Sequence, residues 1–541
     1  MCGIVGIINS DRNEPVSETV LSSMRDSMEH RGPDGFGNFV HRNIGLGHRR
    51  LSIIDLAGGA QPMTSDDGAI SIVYNGEIYN HRAIRDRLVS KGYGFRTSCD
   101  TEVILRLYED KGADCVHEFN GMFAFAIYDR SDDSLLLARD RLGIKPLYYV
   151  HDSNRFLFSS EIKAFIEHPD FVPELNTAPL AEYFIFRCLS GAETLFKGVF
   201  ALPPGHTLEF RQGSVRIEPY WQLRSVPETG CRSYEELLER FDFLLNDSVK
   251  LRLMSDVPLG TFCSGGIDSS LVTAIAAKNT NASVNTFSVG FNESGYDESE
   301  FAAAVSRLYN TTHHQLVVDH QQFADLLPQM IRQNDEPLNF ANSIQIYAIS
   351  KLAKEFVTVV LTGEGSDELF WGYPRYQIPS LLNHSSRFSK MIALFLPLLS
   401  SLSSDHRLAK LRRNLDRTAE ERLLLNAASL SERVAGTLIP NHFSSAWAES
   451  RLRFLGVGDP AKDLLNLEQH TYLLSILQRQ DKMSMAASIE SRVPFLDHRS
   501  AEFAYHLPDS VKVKLFNSKS FVKKAAKPYL PRTIIHRRKS G

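Results

Sequence analysis

Seven residues near the middle of the chain combine glycines, hydroxyls and one carboxylate: S-G-G-I-D-S-S, residues 264–270. They follow an apolar stretch, 257–263, and precede a run of small and apolar residues, 271–277. This pattern predicts a strand, a glycine-rich turn and a helix. Unpaired N–H groups at such a helix start favour an anion, and adjacent glycines allow it to approach closely. Asp268 beside an anion indicates a divalent cation between them. We therefore expect a pyrophosphate cradle; the alternative is an ordinary Ser/Gly turn.

A second polar group follows another apolar stretch. Residues 356–361 end in T-G-E-G-S-D-E, residues 362–368. Strands that alternate with helical segments predict a doubly wound parallel sheet, which binds ligands at the carboxyl ends of its strands. Both polar loops occupy such ends, so we expect them to face one pocket. Asp268 and Asp367 would then hold Mg²⁺ on the pyrophosphate, and Glu364 would lie near an acceptor. The alternative is a solvated turn.

The N-terminus offers a different chemistry. Removal of the initiator Met would leave Cys2 as a thiol nucleophile with its own α-amino group, which is partly neutral at pH 7 and can act as a base. Asn75-Gly76 provides an amide side chain and a glycine N–H, a pair suited to an oxyanion hole. The alternatives are a buried structural cysteine and a type I′ hairpin turn.

Five motifs occur in order between residues 2 and 104: C-G-I-V-G, H-R-G-P-D, R-R-L-S-I, Y-N-G-E-I-Y-N and D-T-E-V-I. Together they resemble a class II (Ntn-type) glutamine amidotransferase domain. The resemblance implies that Cys2 attacks the glutamine carboxamide and releases ammonia, with Arg50 on the substrate carboxylate and Asp100 on its ammonium. The resemblance also implies that Asn75 and Gly76 form the oxyanion hole. The implied glutamine-binding residues are Arg50, Leu51, Ile53, Asn75, Gly76, Glu77 and Asp100.

The central motif resembles the PP-loop of ATP pyrophosphatases, which cleave ATP to AMP and pyrophosphate as they activate a carboxylate. With T-G-E-G-S-D-E and residues 480–497, it makes the whole chain similar to the glutamine-hydrolysing asparagine synthetase family. That resemblance implies ATP and Mg²⁺, an aspartyl-adenylate, Lys482 as an acceptor or phosphate contact, and Lys539 as a catalytic group of adenylation. The implied ATP-binding residues are Phe262, Ser264, Gly265, Gly266, Asp268, Ser269, Val289, Thr362 and Gly363.

The elements that position these residues form two units. The resemblance implies an Ntn αββα sandwich over residues 2–210, a linker over 211–232, and a PP-loop synthetase domain with a helical C-terminal part over 233–541. The residue patterns add a β-hairpin within 119–138 and an amphipathic helix over 234–252.

Composition narrows the class of protein. A chain of 541 residues is too long for one core, and a net charge of −4 gives no electrostatic case for nucleic acid or membrane binding. Six cysteines without metal-type spacing suit a reducing cytoplasm. The apolar run 391–399 contains a proline and is too short to span a bilayer, so we expect a buried or interface helix there. The expected ligands are the small molecules glutamine, aspartate and ATP. The sequence is also compatible with a homodimer.

Three departures from the family pattern favour alternatives. Trp371 stands where glycine is usual, and an indole near the acceptor pocket would favour another carboxylate, such as a sugar uronate. Cys99 stands where serine is more common, as a candidate for surface chemistry. The sequence stops at Gly541, directly after the motif lysine, which favours a third hypothesis: a catalytically weak, nucleotide-binding or regulatory protein.

Overall fold

A computed structural model describes residues 2–226, 230, 233–280, 282–292, 297–376, 417–512 and 517–537. Its N-terminal part contains two antiparallel sheets of six strands each. The first comprises β1 (Gly3–Asn9), β2 (Gly35–His41), β3 (Ile44–Arg50), β8 (Tyr148–His151), β9 (Arg155–Ser159) and β10 (Val199–Ala201), in the order β10-β8-β9-β1-β3-β2. The second comprises β4 (Met63–Thr64), β5 (Ile70–Ile78), β6 (Gly121–Asp129), β7 (Ser134–Arg139), β11 (His206–Arg211) and β12 (Ser214–Pro219), in the order β12-β11-β7-β6-β5-β4.

The two sheets pack face to face, and helices cover their outer faces. Ile4 and Leu46 of the first sheet meet Val73 and Ala126 of the second in one buried cluster. Helices α1 (Glu18–Asp26) and α4 (Lys163–Ile166) pack on the first sheet, while α2 (His81–Ser90) and α3 (Asp100–Lys111) pack on the second. The predicted αββα sandwich is confirmed.

Local predictions in this part had different outcomes. The predicted hairpin is β6 and β7, which pair in register from Ala124↔Arg139 to Asp129↔Ser134. Asn75 and Gly76 lie inside β5 and pair with Ala124 and Phe123, so the hairpin-turn alternative is wrong. Strand β12 falls within the predicted linker 211–232, yet it pairs with β11 along its full length. The sandwich therefore extends to Pro219 because two more strands complete its second sheet.

The C-terminal part is built on a parallel sheet. Its strands are β13 (Leu259–Phe262), β14 (Asn285–Gly290), β15 (Thr312–Val317), β16 (Val359–Leu361) and β17 (Glu490–Arg492), in the order β15-β14-β13-β16-β17. Val359 and Leu361 of β16 pack into one cluster and Val360 into another. Both faces are thus buried, as a doubly wound parallel sheet requires, and this prediction is confirmed.

Helices surround this sheet and form most of the C-terminal part. Helix α6 (Tyr234–Arg252) has the predicted bounds because Ser233 and Glu236 form a capping box at its start. The other long helices are α7 (Ile267–Lys278), α8 (Ser299–Tyr309), α9 (His320–Asn334), α10 (Ser343–Ala353), α15 (Pro460–Gln469), α16 (Tyr472–Met485) and α17 (His498–His506). The short ones are α11 (Ser366–Leu369), α12 (Ala419–Leu424), α13 (Glu432–Leu438), α14 (Ala446–Leu452), α18 (Asp509–Lys512), α19 (Ser520–Ala525) and α20 (Arg532–Ile535), while the short helix α5 (Leu180–Phe186) belongs to the N-terminal part.

Single 3₁₀ turns complete the chain at Glu29–Arg31, Gly112–Glu118, Leu223–Ser225, Pro374–Tyr376 and Pro494–Leu496. The helix expected over 391–399 lies outside the described residues. Among the helices that are described, none has the length and apolar character needed to cross a membrane.

Candidate active sites

The N-terminal part contains a small pocket beside Cys2. Six of the seven residues predicted to bind glutamine line it together with Cys2: Arg50, Leu51, Ile53, Gly76, Glu77 and Asp100. They come from the start of β1, the end of β3 and the loop after it, the middle of β5, and the start of α3. The pocket therefore forms where the edges of both sheets meet a helix N-terminus.

The seventh residue, Asn75, contacts Cys2 directly. The Cys2 main-chain nitrogen donates to Asn75 Oδ1 over 2.9 Å, a bond that links the two sheets. Asn75 is fully buried, and its Nδ2 has no hydrogen-bond partner among the described residues. A buried amide donor without a partner is costly unless a ligand satisfies it. This donor is what an oxyanion beside Cys2 needs.

Burial controls the reactivity of the Cys2 thiol. Cys2 is 8% exposed, and this desolvation raises its pKa. The Leu51 backbone N–H and the charge of Arg50 act in the opposite direction. Because the net shift is upward, the thiol needs a nearby base before it can act as a nucleophile.

Four charged side chains line the pocket of the thiol: Arg50, Asp100, Glu77 and Glu490. Arg50 donates to the Asp55 carbonyl over 2.7 Å, which fixes its guanidinium at the pocket. Asp100 accepts from the Tyr74 hydroxyl over 2.7 Å through one carboxylate oxygen. Glu77 receives a bond from Arg492 of the C-terminal part over 3.0 Å, and burial raises the pKa of its carboxyl. Arg50 and Asp100 thus provide the cation and the carboxylate that match the two charges of an amino acid substrate.

Cys99 also lines this pocket and is 2% exposed. The expectation of a surface cysteine is therefore wrong, because Cys99 precedes α3 and is packed under the sheet. Burial raises the pKa of its thiol as well.

The second site lies at the carboxyl edge of the parallel sheet. Gly265 has φ +69, a conformation that glycine adopts without strain, and Gly266 is the N-cap of α7. A Cβ on Gly363 would lie 2.6 Å from the Ser269 nitrogen. The T-G-E-G-S-D-E loop thus touches the start of α7, and the prediction that both loops share one edge is confirmed.

The two predicted metal ligands meet around one ammonium group. Lys519 Nζ lies 2.6 Å from Asp268 Oδ2 and 2.6 Å from Asp367 Oδ1. The Ser366 hydroxyl donates to the other oxygen of Asp268 over 2.7 Å. Sequence reasoning missed Lys519, which stands about 150 residues beyond T-G-E-G-S-D-E with no spacing pattern to mark it. Its φ of +54 is unusual for a lysine and is the kind of strain found at functional sites.

This arrangement fits a magnesium ion. Asp268 and Asp367 carry two negative charges, and Lys519 neutralises one of them. The site therefore keeps a negative charge and offers carboxylate oxygens, the ligands that Mg²⁺ prefers. Over the described ranges, no group of three or more His, Cys, Asp or Glu side chains has metal-binding geometry. A magnesium ion with two protein carboxylates usually takes its remaining ligands from phosphate and water.

The other predicted nucleotide contacts lie along the same edge. The buried hydroxyl of Thr362 has no hydrogen-bond partner in the part of the chain that the structure describes. Ser264 is exposed, and its Oγ lies 3.1 Å from Ser269 Oγ. Phe262 and Val289 are half-buried on neighbouring parallel strands. These groups therefore lie at the same end of the sheet as the two acidic loops.

The predicted acceptor residues do not come together. Glu364 accepts from Arg479 over 3.0 Å. Lys482 instead contacts Asp335 over 3.1 Å and the Asn334 carbonyl, and it lines an interdomain cavity that contains no PP-loop residue. Lys539 lies outside the described residues.

Trp371 lies in the core of the C-terminal part. Its side chain is 2% exposed and packs in the main core, with its ring 5.9 Å from that of Tyr376. The expectation that this indole shapes the acceptor site stays a prediction.

Buried ion pairs connect the two sites. Arg31 of the H-R-G-P-D motif donates to the Cys2 carbonyl over 3.0 Å and to Asp481 on α16 over 2.8 Å. Lys145 reaches the other oxygen of Asp481 over 3.1 Å. Arg31 had no predicted role beyond its place in a motif, because its partner Asp481 lies 450 residues away.

Comparisons with known proteins identify the families of the two parts of the chain. The family model for a glutamine amidotransferase domain matches residues 1–221, and the model for asparagine synthase matches residues 240–541. The chain belongs to the glutamine-hydrolysing asparagine synthetase family. Over its full length it is 32% identical to asparagine synthetase [glutamine-hydrolyzing] 3 of Bacillus subtilis and covers 86% of that protein.

Two further relatives show the range of names in the family. A putative asparagine synthetase [glutamine-hydrolyzing] 2 of Methanocaldococcus jannaschii is 34% identical over 92% of this chain and all of that protein. A protein of Penicillium rubens called amidase chyE is 30% identical over 98% of this chain and 87% of its own length. The family membership is thus supported by relatives from bacteria, archaea and fungi.

Proposed function

We propose that this protein makes asparagine from aspartate, ATP and glutamine, and releases glutamate, AMP and pyrophosphate. The observation that carries the proposal is the pocket of Cys2, where Arg50, Asp100 and the unpartnered Asn75 amide surround one thiol. Relatives over the whole chain are named for this reaction.

In the first half-reaction, the Cys2 thiol attacks the glutamine carboxamide carbon. The α-amine left after removal of Met1 takes the thiol proton and passes it to the leaving ammonia. The Asn75 amide and the Gly76 N–H donate to the oxyanion. Water then hydrolyses the thioester to glutamate and regenerates the thiol. Arg50 and Asp100 hold the substrate carboxylate and ammonium, so the scissile amide faces Cys2.

In the second half-reaction, the aspartate side-chain carboxylate attacks the α-phosphate of ATP and pyrophosphate leaves. The glycine-rich start of α7 and the hydroxyls of Ser264, Ser269 and Thr362 bind the phosphates. Asp268 and Asp367 would hold Mg²⁺, which supplies charge neutralisation for the leaving pyrophosphate when bound. Ammonia then displaces AMP from the β-aspartyl carbon and gives asparagine.

The test is acceptor-dependent release of pyrophosphate. Purified protein is incubated with ATP, Mg²⁺ and ammonium, with and without aspartate, and asparagine is quantified in the same samples. We expect pyrophosphate and asparagine in equal amounts, and only when aspartate is present. Glutaminase activity without any aspartate response would contradict the proposal and lead to a panel of other carboxylates. Absence of pyrophosphate with every acceptor would favour the hypothesis of a nucleotide-binding protein.

The cellular setting is part of the same proposal. The five cysteines that the structure describes are all free and buried, which suits a reducing cytoplasm. Whether two copies associate is tested by light scattering of the purified protein, where a mass of twice the 60.9 kDa chain would support a homodimer.

A further inference from the structure

A second cavity lies between the two domains, apart from both proposed sites. Its volume is about 360 Å³, and its lining includes neither Cys2 nor any residue of the PP-loop. Its walls come from residues 183–206 of the glutaminase domain, from 222 and 224, and from 334–339 and α16 of the synthetase domain. This volume is in the range of small-molecule sites.

The charges that line the cavity are unequal. Two acidic residues, Glu193 and Glu336, face six cationic ones: Arg139, Arg187, Arg224, Arg453, Arg479 and Lys482. Arg139 is bound only by the carbonyls of Lys145, Leu202 and Gly143, and burial lowers its pKa. Arg453 donates to the Ser190 carbonyl. Within the described residues, four of these six cations form no ion pair with a carboxylate, which favours an anionic ligand.

Arg187 is the least satisfied of these cations. Across the described residues its guanidinium makes no hydrogen bond or ion pair, and its Nε is buried without a partner. Its backbone is left-handed, with φ +62, at the end of α5. Glycine or asparagine normally occupies such a position, and a strained non-glycine residue often marks a ligand site.

A second guanidinium contacts the same aromatic ring. Arg187 and Arg479 each place Cζ 5.0 Å from the centroid of the Phe340 ring. Arg479 also pairs with Glu364 on the T-G-E-G-S-D-E loop. A carboxylate bound to Arg479 would share this side chain with Glu364, so the cavity is connected to the adenylation loop by one side chain.

We propose that this interdomain cavity binds an acidic amino acid, whose carboxylates pair with Arg187 and Arg479 and whose ammonium contacts Glu336. Glu336 already accepts from the Leu195 N–H over 2.9 Å through Oε1, which orients its carboxylate. Paired guanidiniums bind carboxylates through charge-assisted, often bidentate hydrogen bonds. The choice of ligand rests on the proposed function, which supplies two acidic amino acids: the acceptor aspartate and the product glutamate.

The experiment measures binding by isothermal titration calorimetry on the full chain without ATP, at constant ionic strength. The probes are L-aspartate, L-glutamate and inorganic phosphate. We expect Arg187→Gln to weaken binding of one amino acid about tenfold or more, because a charge-assisted bond is lost. Arg187→Lys, which keeps the charge, should lose less. Arg216→Gln removes an exposed arginine of β12 and should leave the affinity unchanged.

Each result has a defined meaning. An Arg187 effect on aspartate assigns the cavity to the acceptor, and an effect on glutamate assigns it to the product. Equal isotherms for wild type and Arg187→Gln with every probe, or an Arg187 effect on phosphate alone, would overturn the proposal. If Arg187→Gln does not fold, Arg453→Gln at the exposed rim tests the same cavity, with an expected loss of a few-fold. Pyrophosphate release is measured separately, so failure here leaves the proposed function intact.

Discussion

The two active sites differ in how they are held. The glutaminase pocket is built on strands and a helix start within one sandwich, and Asn75 bonds to Cys2 across the two sheets. The adenylation site brings two loops about a hundred residues apart into contact and adds Lys519 from a third segment. The first site is positioned by hydrogen-bonded strands and the second by charge. We therefore expect catalysis at the glutaminase site to be sensitive to the loss of a single hydrogen-bonding atom. Catalysis at the adenylation site should instead be sensitive to changes in net charge.

The largest expected effect is at Cys2. Cys2→Ala should reduce glutamine-dependent synthesis by about 10⁴-fold or more, because the nucleophile is lost, while ammonia-dependent synthesis continues. Asparagine formation from each nitrogen source is measured side by side. Cys99→Ser, in the same pocket, should keep the glutamine-dependent rate within about threefold. Loss of both activities in a folded Cys2→Ala protein would contradict the separation of the two sites.

The next effect is at Asp367. Asp367→Asn should lower pyrophosphate release by about 10²–10³-fold, since half of the charge around Lys519 and the phosphates is removed, yet glutaminase activity should persist. Exposed Asp114, changed to Asn, is the matched control. Unchanged release with the same Mg²⁺ dependence would remove the metal role of Asp367.

A comparable but smaller effect is expected at Asn75. Asn75→Ala removes an oxyanion donor and should lower glutaminase kcat by about 10²-fold with little change in KM. Asn154→Ala, on the exposed turn before β9, is the control. A rise in KM with unchanged kcat would mean that Asn75 binds the substrate rather than the transition state.

Charge can also be removed between the domains. Asp481→Asn leaves Lys145 without the carboxylate it pairs with in a buried interface, while Arg31 keeps its ion pair with Glu161, and should reduce the free energy of unfolding by about 3–5 kcal/mol. Urea titration measures it. Asp170→Asn breaks a similar aspartate–arginine contact at the surface and should cost at most about 1 kcal/mol. Equal costs for the two variants would show that the buried pair is no stronger than the surface one.

The same carboxylate gives the smallest effect, a pH dependence. Arg31 and Lys145 lower the pKa of Asp481 below its ordinary value despite burial. Ionised Asp481 therefore contributes its full stabilisation of the folded state above the pKa that aspartate has in the unfolded chain, about 3.9. This stabilisation is lost as the pH falls through the lower pKa of Asp481 in the folded state. The difference in stability between wild type and Asp481→Asn should shrink over that acidic window. A difference that is constant with pH would contradict this.

Sequence alone predicted the features whose causes are local or topological. The bounds of α6 follow from a capping box and an apolar stripe, and the contact between Gly363 and Ser269 follows from parallel-strand topology. Lys519, Arg31 and Arg479 could not be predicted because their partners lie far away in sequence. The sandwich was predicted to end too early, because the polar strand β12 pairs through its backbone and carries little apolar pattern.

Arg31 has a consequence for how such chains diversify. One guanidinium contacts the carbonyl of the proposed nucleophile and a carboxylate 450 residues downstream. A recombination event that joins this glutaminase half to a synthetase half without an acidic residue at the position of Asp481 would deprive buried Arg31 and Lys145 of the carboxylate they share. The two halves are therefore inherited as one unit unless Arg31 and Asp481 change together, and substitutions at these positions should be correlated across descendants.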